Sequence, residues 1–324
     1  MKNSPPLVSI IINNYNYEAF LAQAIESALA QTYAPVEVVV VDDGSADNSR
    51  AVIERYVSQH KGRVIPVLKE NGGQASALNA GVLASQGDII CFLDADDIYL
   101  PEKVAETVAA FEVDDSIEWF FQRSTAFASE VLLESDLTLL FQEVAERNLG
   151  VSTQTIDFRR ALKNAQLPSF APATSNISVS RSLANKIFPM PEVRGKSGVA
   201  ISDLYLKLLA VGLSVGRQTE RILCLFRRHN NIYSGTAAAG KLKITTEISI
   251  ATAFWMAQRY PDFKKMGDKL FSRGLGMHLR CADKDADSQA LIDRYLAKVS
   301  LPRRLRLYGM AGYYFYRLKR LAVG

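Results

Sequence analysis

The chain has 324 residues, of which 48% are hydrophobic and 22% charged, and this composition excludes a disordered or fibrous protein and allows about two domains. The net charge of +4 is small for this length, and the basic residues of the first two thirds are scattered, which argues against a dedicated nucleic-acid-binding protein. Three widely spaced cysteines without a CxxC pair are typical of reduced thiols in a reducing compartment. The sequence contains no run of about 18 uncharged apolar residues, so we expect a cytoplasmic protein, attached at most to the inner face of the membrane as a peripheral protein.

The first third of the chain alternates between two hydrophobic patterns. Apolar runs rich in β-branched residues predict strands at "LVSIII", "VEVVVVD", "RVIPVLK" and "DIICFLD". Apolar residues at helical spacing between them predict helices at "AFLAQAIESALAQT", at residues 47–60 and at "QASALNAGVLAS". This alternation predicts an α/β fold with a doubly wound, mostly parallel sheet.

The pattern is looser in the rest of the chain. Strands are predicted at "IEWFFQRSTAF", "SNISVSRS" and "VGRQTERILCLF", whereas residues 132–165 are expected to be mainly helical. The segment "AISDLYLKLLAVG" predicts a helix that ends at Gly212, and helical spacing continues to the end of the chain. We therefore expect a first domain over 1–234 and a helical C-terminal extension over 235–324.

Polar clusters follow each of the first four predicted strands: "NNYNY", "DDGSADNS", "ENGGQ" and "DADD". The carboxyl ends of parallel strands meet at one edge of a sheet, where ligands of such folds bind. The predicted turns at the opposite edge carry no comparable carboxylate clusters. The sequence therefore predicts a ligand site at the carboxyl edge.

The last of these clusters has an Asp-x-Asp spacing, with Asp94 and Asp96 directly after an apolar strand. Two carboxylates at a strand exit can hold one magnesium or manganese ion against a diphosphate, because hard cations favour oxygen ligands. The alternative is a solvated, Asp-rich turn, since Asp is common in turns. The three companion clusters favour the metal site.

Four ordered motifs resemble the family 2 glycosyltransferases, whose nucleotide-sugar domain has the A-type glycosyltransferase fold. They lie within "VSIIINNYNYEAFLAQAIESALAQTY", "EVVVVDDGSADNS" and "NGGQASALNAGVLASQGDIICFLDADDIYLPEKV". The resemblance is close over residues 7–104 and looser as far as residue 234. It implies a divalent metal, manganese or magnesium, and a nucleotide-sugar donor.

The resemblance also implies roles for individual residues. Tyr15 and the backbone near Asn13 would hold the base, and Asp43 would accept a hydrogen bond from the uracil ring or the ribose. Asp94 would lie near the ribose and diphosphate, and Asp96 would bind the metal. Taken singly, Tyr15 also fits a packed turn aromatic, and Asp43 also fits a turn cap.

Two later segments complete the implied site. The family's catalytic base lies in a Glu-Asp pair that opens a helix, and "AISDLYLKLLAVG" resembles this segment except that Ser202 replaces the Glu. Asp203 is then the expected base, although Ser-Asp before an apolar helix also fits an N-terminal cap. In "FRRHNN", Arg228 is expected to pair with phosphate and His229 to complete the metal shell, whereas the alternative for His229 is a solvated loop residue.

The resemblance implies an inverting, metal-dependent glycosyltransferase that moves a sugar from a donor, expected to be UDP-linked, to a glycan or lipid-linked acceptor in cell-surface polysaccharide synthesis. A sugar-phosphate nucleotidyltransferase is disfavoured, because its Gly-rich first loop is missing where "NNYNY" stands. The alternative from another class is a catalytically inactive nucleotide-binding or scaffold subunit of a glycan assembly complex. Ser202 is the feature that favours that alternative.

The C-terminal segment "LPRRLRLYGMAGYYFYRLKRLAVG" combines basic and aromatic residues with no acidic residue. Such a composition suits an interfacial helix that lies on anionic lipid. Tyr and Leu at helical spacing equally fit a terminal helix packed on the protein. Both interpretations are open at the level of sequence.

Overall fold

The computed structural model describes residues 4–134, 136–169, 172–192, 201–229, 238–281 and 286–321. The chain divides into two compact units, and the longer one contains the predicted sheet. The first unit is Met1–Phe158, Phe170–Glu192 and Leu206–His229. The second unit is Arg159–Ser169, Val193–Tyr205 and Asn230–Gly324.

Strands occupy the four positions predicted in the first third of the chain and several later ones. Their bounds are β1 Val8–Asn14, β2 Val36–Asp42, β3 Val64–Leu68, β4 Ile89–Asp94, β5 Ile98–Tyr99, β6 Ile117–Ala128, β7 Thr153–Ile156, β8 Ile177–Ser180 and β9 Val215–Arg228.

Helices connect the strands of the first unit and make up most of the second. Their bounds are α1 Glu18–Leu29, α2 Ser49–Gln59, α3 Gln74–Ala84, α4 Lys103–Phe111, α5 Ser129–Glu134, α6 Leu137–Arg147, α7 Arg159–Lys163, α8 Arg181–Ile187, α9 Ile201–Leu213, α10 Ala238–Arg259, α11 Lys264–His278, α12 Ala286–Ala297 and α13 Leu301–Leu321.

The described strands form one sheet in the order β3-β2-β1-β4-β8-β6-β9-β5, and β7 also pairs with β9. Strands β1 to β4 pair in parallel, as does β6 with β9, whereas β8, β5 and β7 join antiparallel. The predicted fold class, an α/β fold with a doubly wound and mostly parallel sheet, is confirmed. Every residue of β2 is buried, as is typical of a parallel strand covered on both faces.

Gly81 lies inside α3, three residues before its end, and does not terminate the helix. A Cβ atom at this position would lie 2.4 Å from Cγ2 of Ile11 in β1. The missing side chain therefore allows α3 to pack closely on the central strand. In α9 the helix continues past the predicted stop at Gly212 and ends at Leu213.

The prediction of mainly helical structure over 132–165 was wrong for β7, which lies between α6 and α7. This strand pairs antiparallel with β9, Thr153 opposite Thr219 and Ile156 opposite Gly216. A partner sixty or more residues away in the sequence decides the conformation of such a short segment, and the local spacing of apolar residues does not indicate it.

In the second unit, α13 packs on α11 through its first turns. Both oxygens of Asp268 in α11 accept hydrogen bonds from Arg303, and Oδ1 also accepts one from Tyr295 at 3.0 Å. Leu307 and Ala311 of α13 are buried. One face of α13 is thus part of the protein core.

None of the helices in the described segments combines the length and apolar character that a membrane span requires.

Candidate active site

Three carboxylates lie together where β4 ends at the carboxyl edge of the sheet. Asp94 is the last residue of the strand and is half-buried, whereas Asp96 and Asp97 in the following turn are 8% and 2% exposed. Burial of several like charges is costly unless donors or cations compensate them. The contacts of each carboxylate therefore indicate what this turn does.

Asp94 is held by side chains from three neighbouring segments. Its Oδ1 atom accepts hydrogen bonds from Nδ2 of Asn13 and Nε2 of Gln74, both at 3.0 Å. Its backbone N–H donates to Oγ of Ser175 at 3.1 Å. The structure therefore brings the predicted pair Asn13 and Asp94 together.

Asp96 pairs with His229, the residue that follows β9. The distance between Oδ2 of Asp96 and Nε2 of His229 is 2.8 Å, and both side chains are nearly buried. The imidazole packs edge-on against Tyr17 and beside Phe20, with ring centroids 5.5 and 5.0 Å away. His229 is therefore an ordered part of the acidic cluster and is not a solvated loop residue.

The carboxylate oxygen of Asp96 and the adjacent imidazole nitrogen of His229 suit manganese or magnesium, which often takes only one or two protein ligands beside phosphate and water. Across the described parts of the chain, no three His, Cys, Asp or Glu side chains form a metal-binding group. The residues present therefore fit a metal whose shell the substrate completes. Asp96 and His229 would hold it.

Asp97 was not among the predicted site residues, because the sequence "DADD" gives no reason to assign this carboxylate a role of its own. Its carboxylate accepts hydrogen bonds from Oγ of Ser175 at 2.6 Å and from the backbone N–H of Arg227 at 3.1 Å. Burial, followed by the charges of Asp96 and Asp94, raises its pKa well above the ordinary value. Asp97 fixes the end of β9 to the acidic turn.

Arg227 and Arg228, the last two residues of β9, lie in different environments. The Arg227 side chain is buried, and its guanidinium donates to the carbonyl oxygen of Asp96 at 2.8 Å and to Oε1 of Gln23 at 2.6 Å. It also lies 4.5 Å from the centroid of the Phe20 ring. Arg228, the predicted phosphate ligand, is exposed. Sequence alone did not distinguish the two, although the alternation of a strand offers the signal.

Asp43 is buried after β2 and faces the start of α3. Its Oδ1 atom accepts hydrogen bonds from Nζ of Lys69 at 2.6 Å and from the N–H of Gly72 at 3.0 Å, and Oδ2 accepts from the N–H of Gly73 at 2.7 Å. Gly73 has a φ of 84°, which favours glycine. The carboxylate therefore ties the loop before α3 to β2. Tyr15, directly after β1, is 41% exposed and does not pack as a turn aromatic.

Tyr17 is a further residue that the sequence analysis did not select. It is half-buried beside His229, and its pKa is raised by burial and then by the charges of Asp96, Asp94 and Asp97. A phenol held in its neutral form can donate a hydrogen bond toward an anionic ligand. The indication in the sequence was that Tyr17 is the second tyrosine of "NNYNY", the polar cluster after the first predicted strand.

Asp203 lies in the first turn of α9 and is partly exposed. By its contacts it belongs to the second unit, and the acidic cluster belongs to the first. The side chain of Ser202 lies outside the described part of the chain.

Comparisons with known proteins give a consistent assignment. The family model named glycosyl transferase family 2 matches residues 9–159. An uncharacterised glycosyltransferase of Nostoc sp. is 34% identical over 245 residues, which cover 75% of this chain and 72% of that protein. A second one, from Rickettsia conorii, is 46% identical over 102 residues, which cover 32% of this chain and 17% of that protein.

Two solved structures share the fold. Fragment 1–349 of S. aureus TarS, in complex with UDP-GlcNAc, matches with a TM-score of 0.55 and 16% identity over 95% of this chain and 80% of the fragment. The mannosyltransferase PcManGT from Pyrobaculum calidifontis, in complex with GDP-Man and Mn²⁺, matches with a TM-score of 0.54 and 17% identity over 98% of this chain and 88% of that one. The two structures show the shared fold, and the family model together with the relative from Nostoc sp. shows that the chain belongs to glycosyltransferase family 2.

Proposed function

We propose that this protein is an inverting glycosyltransferase that moves a sugar from a nucleotide-diphospho-sugar, expected to be UDP-linked, to a glycan or lipid-linked acceptor in cell-surface polysaccharide synthesis. The observation that carries the proposal is the contact of 2.8 Å between Asp96 and His229 at the carboxyl edge of the sheet. The contact supports a single metal-binding position directly beside Asp94, where a diphosphate can reach it.

The first step of the proposed mechanism to consider is the departure of the nucleotide diphosphate. Asp96 and His229 would hold manganese or magnesium, which would neutralise the charge that develops on the departing diphosphate. Arg228, exposed next to His229, would pair with a phosphate oxygen. The Mn²⁺ and GDP-Man bound to PcManGT, and the UDP-GlcNAc bound to TarS, support a donor of this class.

The nucleotide would bind at the ends of β1 and β2. The exposed ring of Tyr15 is available to stack on a base face, which every base presents. Asp43 already accepts three hydrogen bonds, and a carboxylate has about four lone-pair sites. It retains capacity for one base N–H, which supports the role in base recognition expected for it.

Asp203 would act as the general base. It would take the proton of the acceptor hydroxyl while that oxygen attacks the anomeric carbon from the face opposite the nucleotide, which inverts the configuration. Its partial exposure in the first turn of α9 supports contact with a substrate.

We extend the proposal to a peripheral contact with anionic lipid, through the face of α13 that points away from α11. Leu301, Leu305 and Tyr316 on this face are 68%, 65% and 69% exposed, and Arg306 and Arg317 are exposed beside them. The helix contains no acidic residue. An apolar and aromatic face bordered by cations suits the surface of an anionic bilayer, where a lipid-linked acceptor is confined.

The test is a panel of UDP- and GDP-sugars incubated with the protein, with and without manganese, while release of the nucleotide is measured. We expect slow, metal-dependent hydrolysis of at least one donor, and inversion when a competent acceptor is supplied. The scaffold alternative, which rests on Ser202, predicts nucleotide binding at most and no turnover. Turnover that is equal with a chelator present would contradict the metal site.

A further inference from the structure

The pairing of β6 with β9 is irregular at Gln122. Phe121 of β6 pairs with Gln218 of β9, but Arg123 pairs with Ile222, so three residues of β9 lie opposite Gln122 alone. A bulge of this kind bends a strand and re-aims its side chains, and such bulges are frequent next to active sites. A cavity adjoins this irregularity, and Gln122 and Gln218 both line it.

The cavity has a volume of about 290 Å³ and lies wholly within the first unit. One water takes about 30 Å³ in the liquid, so the cavity has room for a small organic ligand. Its lining combines amides, a hydroxyl and an aromatic ring, contributed by Gln122, Ser124, Asn176, Gln218 and Phe226.

Two of these side chains are buried without the partners that they need. Gln122 is 3% exposed, and neither its amide oxygen nor its amide nitrogen has a hydrogen-bond partner among the described residues. Asn176 is 5% exposed, and its Nδ2 atom donates to Oγ of Ser124 at 3.1 Å, but its Oδ1 atom has no partner there. Buried polar groups are nearly always hydrogen-bonded, so these atoms need partners beyond the described residues, and a ligand in the adjoining cavity would be a source of them.

The chemistry of the lining selects a neutral, hydroxyl-rich ring. A hydroxyl group both donates and accepts, as the two atoms of the Gln122 amide require. The Phe226 ring offers an apolar surface for the C–H face of such a ring. Arg123 is the only charged residue among the described lining residues, and it pairs with Glu220 at 2.6 Å.

One short turn contributes a residue to the lining of the cavity and another to the contacts of the acidic cluster. Asn176 ends the short 3-10 turn Thr174–Asn176, and Ser175 in the same turn contacts both Asp94 and Asp97. We propose that the cavity binds a neutral pyranose ring of the acceptor. The proposal rests on the transferase function proposed above.

The test uses ligand-observed NMR with methyl glycosides of the common neutral hexoses and N-acetylhexosamines, in the presence of UDP and manganese. We expect saturation transfer to at least one glycoside. Binding should weaken at least tenfold in Gln122→Leu and in Asn176→Ala, and it should be unchanged in Gln86→Leu, a matched substitution of an exposed Gln at the opposite edge of the sheet.

A thermal melt separates binding from folding. Because the Gln122 amide has no protein partner to lose, Gln122→Leu should leave the melting temperature unchanged or raise it. A lowered melting temperature in that variant would identify Gln122 as structural and overturn the proposal, as would unchanged glycoside binding.

The outcomes for the two proposals remain distinguishable, because UDP binding is measured by calorimetry on the same samples. If UDP and manganese bind but no glycoside does, the cavity is not an acceptor site, and the donor site stands. If Gln122→Leu weakens a UDP-sugar but not UDP, the ring belongs to the donor, which also overturns the assignment. If UDP itself does not bind, the proposed transferase function is wrong. Glycoside binding then shows only whether the cavity binds a pyranose ring.

Discussion

Nε2 of His229 lies 2.8 Å from Oδ2 of Asp96, although the two residues are 133 positions apart in the sequence. The end of β9 thus reaches the turn after β4, and two elements that meet only in the folded chain form one candidate ligand pair. Under the proposed function, a cation held by this pair would compensate the charge of the acidic residues at the end of the buried strand.

Loss of either member of this pair should weaken metal-dependent nucleotide binding. Even an outer-shell partner of a metal site is worth about 10–100-fold in metal affinity, so we expect a loss in this range or above for Asp96→Asn and for His229→Gln. Calorimetry with UDP and manganese measures it, with the exposed Asp115→Asn as the control. The loss of binding free energy in the double variant should be smaller than the sum of the losses in the two single variants, because both residues act on one ion. Unchanged affinity in Asp96→Asn would show that the acidic turn has a structural role and does not bind the metal.

The two arginines of β9 should respond differently to the same substitution. Arg227→Lys removes buried guanidinium hydrogen bonds to the Asp96 carbonyl and the Gln23 side chain, and we expect it to reduce the free energy of unfolding by on the order of 3 kcal/mol. Arg228→Lys should leave stability unchanged, since that side chain is exposed. Urea unfolding measures both. Equal effects on stability would contradict the difference in environment.

Asp203→Asn tests the proposed base. We expect UDP binding to stay within about twofold, whereas the transfer rate falls by about 100-fold or more, the range for loss of a positioned base. Rapid-quench kinetics with a saturating donor separates the two quantities. A parallel fall in rate, affinity and melting temperature would instead identify Asp203 as a helix cap.

The sheet and the position of the site could be predicted from the sequence because both depend on local patterns. The apolar runs of β1, β2 and β4 and the polar residues directly after them place Asn13, Asp43 and Asp94 at one edge. The pairing of β7 with β9 and the hydrogen-bond partners of Arg227 could not be predicted, since both depend on contacts between distant segments.

The α13 face can be tested without deleting the helix, whose buried residues Leu307 and Ala311 help to hold it on the protein. We expect the protein to cosediment with vesicles rich in phosphatidylglycerol at low salt and to be released at high salt, because each basic residue near the surface contributes about 1 kcal/mol. Leu305→Glu should abolish cosedimentation. Leu83→Glu, with the same change in charge at an 88% exposed position of α3, should not. Equal loss in both variants would contradict a specific face.

Alkaline pH should weaken the contact between α1 and α2. The Tyr56 hydroxyl donates to Glu26, and burial together with that hydrogen bond raises the pKa of Tyr56 from 10.0 to about 12. A raised pKa means that the folded protein holds this proton more tightly, so the stabilisation is complete below pH 10 and is lost as the pH rises through about 12. Urea unfolding should show Tyr56→Phe as less stable than the unaltered protein at neutral pH, with the difference vanishing near pH 12. A difference that is the same at both pH values would contradict this assignment; the exposed Tyr308→Phe is the control.

The alternation at the end of β9 also limits how the chain can be re-engineered there. Arg227 and His229 both contact the acidic turn, so inserting or deleting one residue before them would turn both side chains away from it. Adding two residues would restore the orientations but displace them by about 6.6 Å along the strand. Grafts and chimaeras that join family members within this segment should therefore succeed only when the number of residues between Leu225 and His229 is kept.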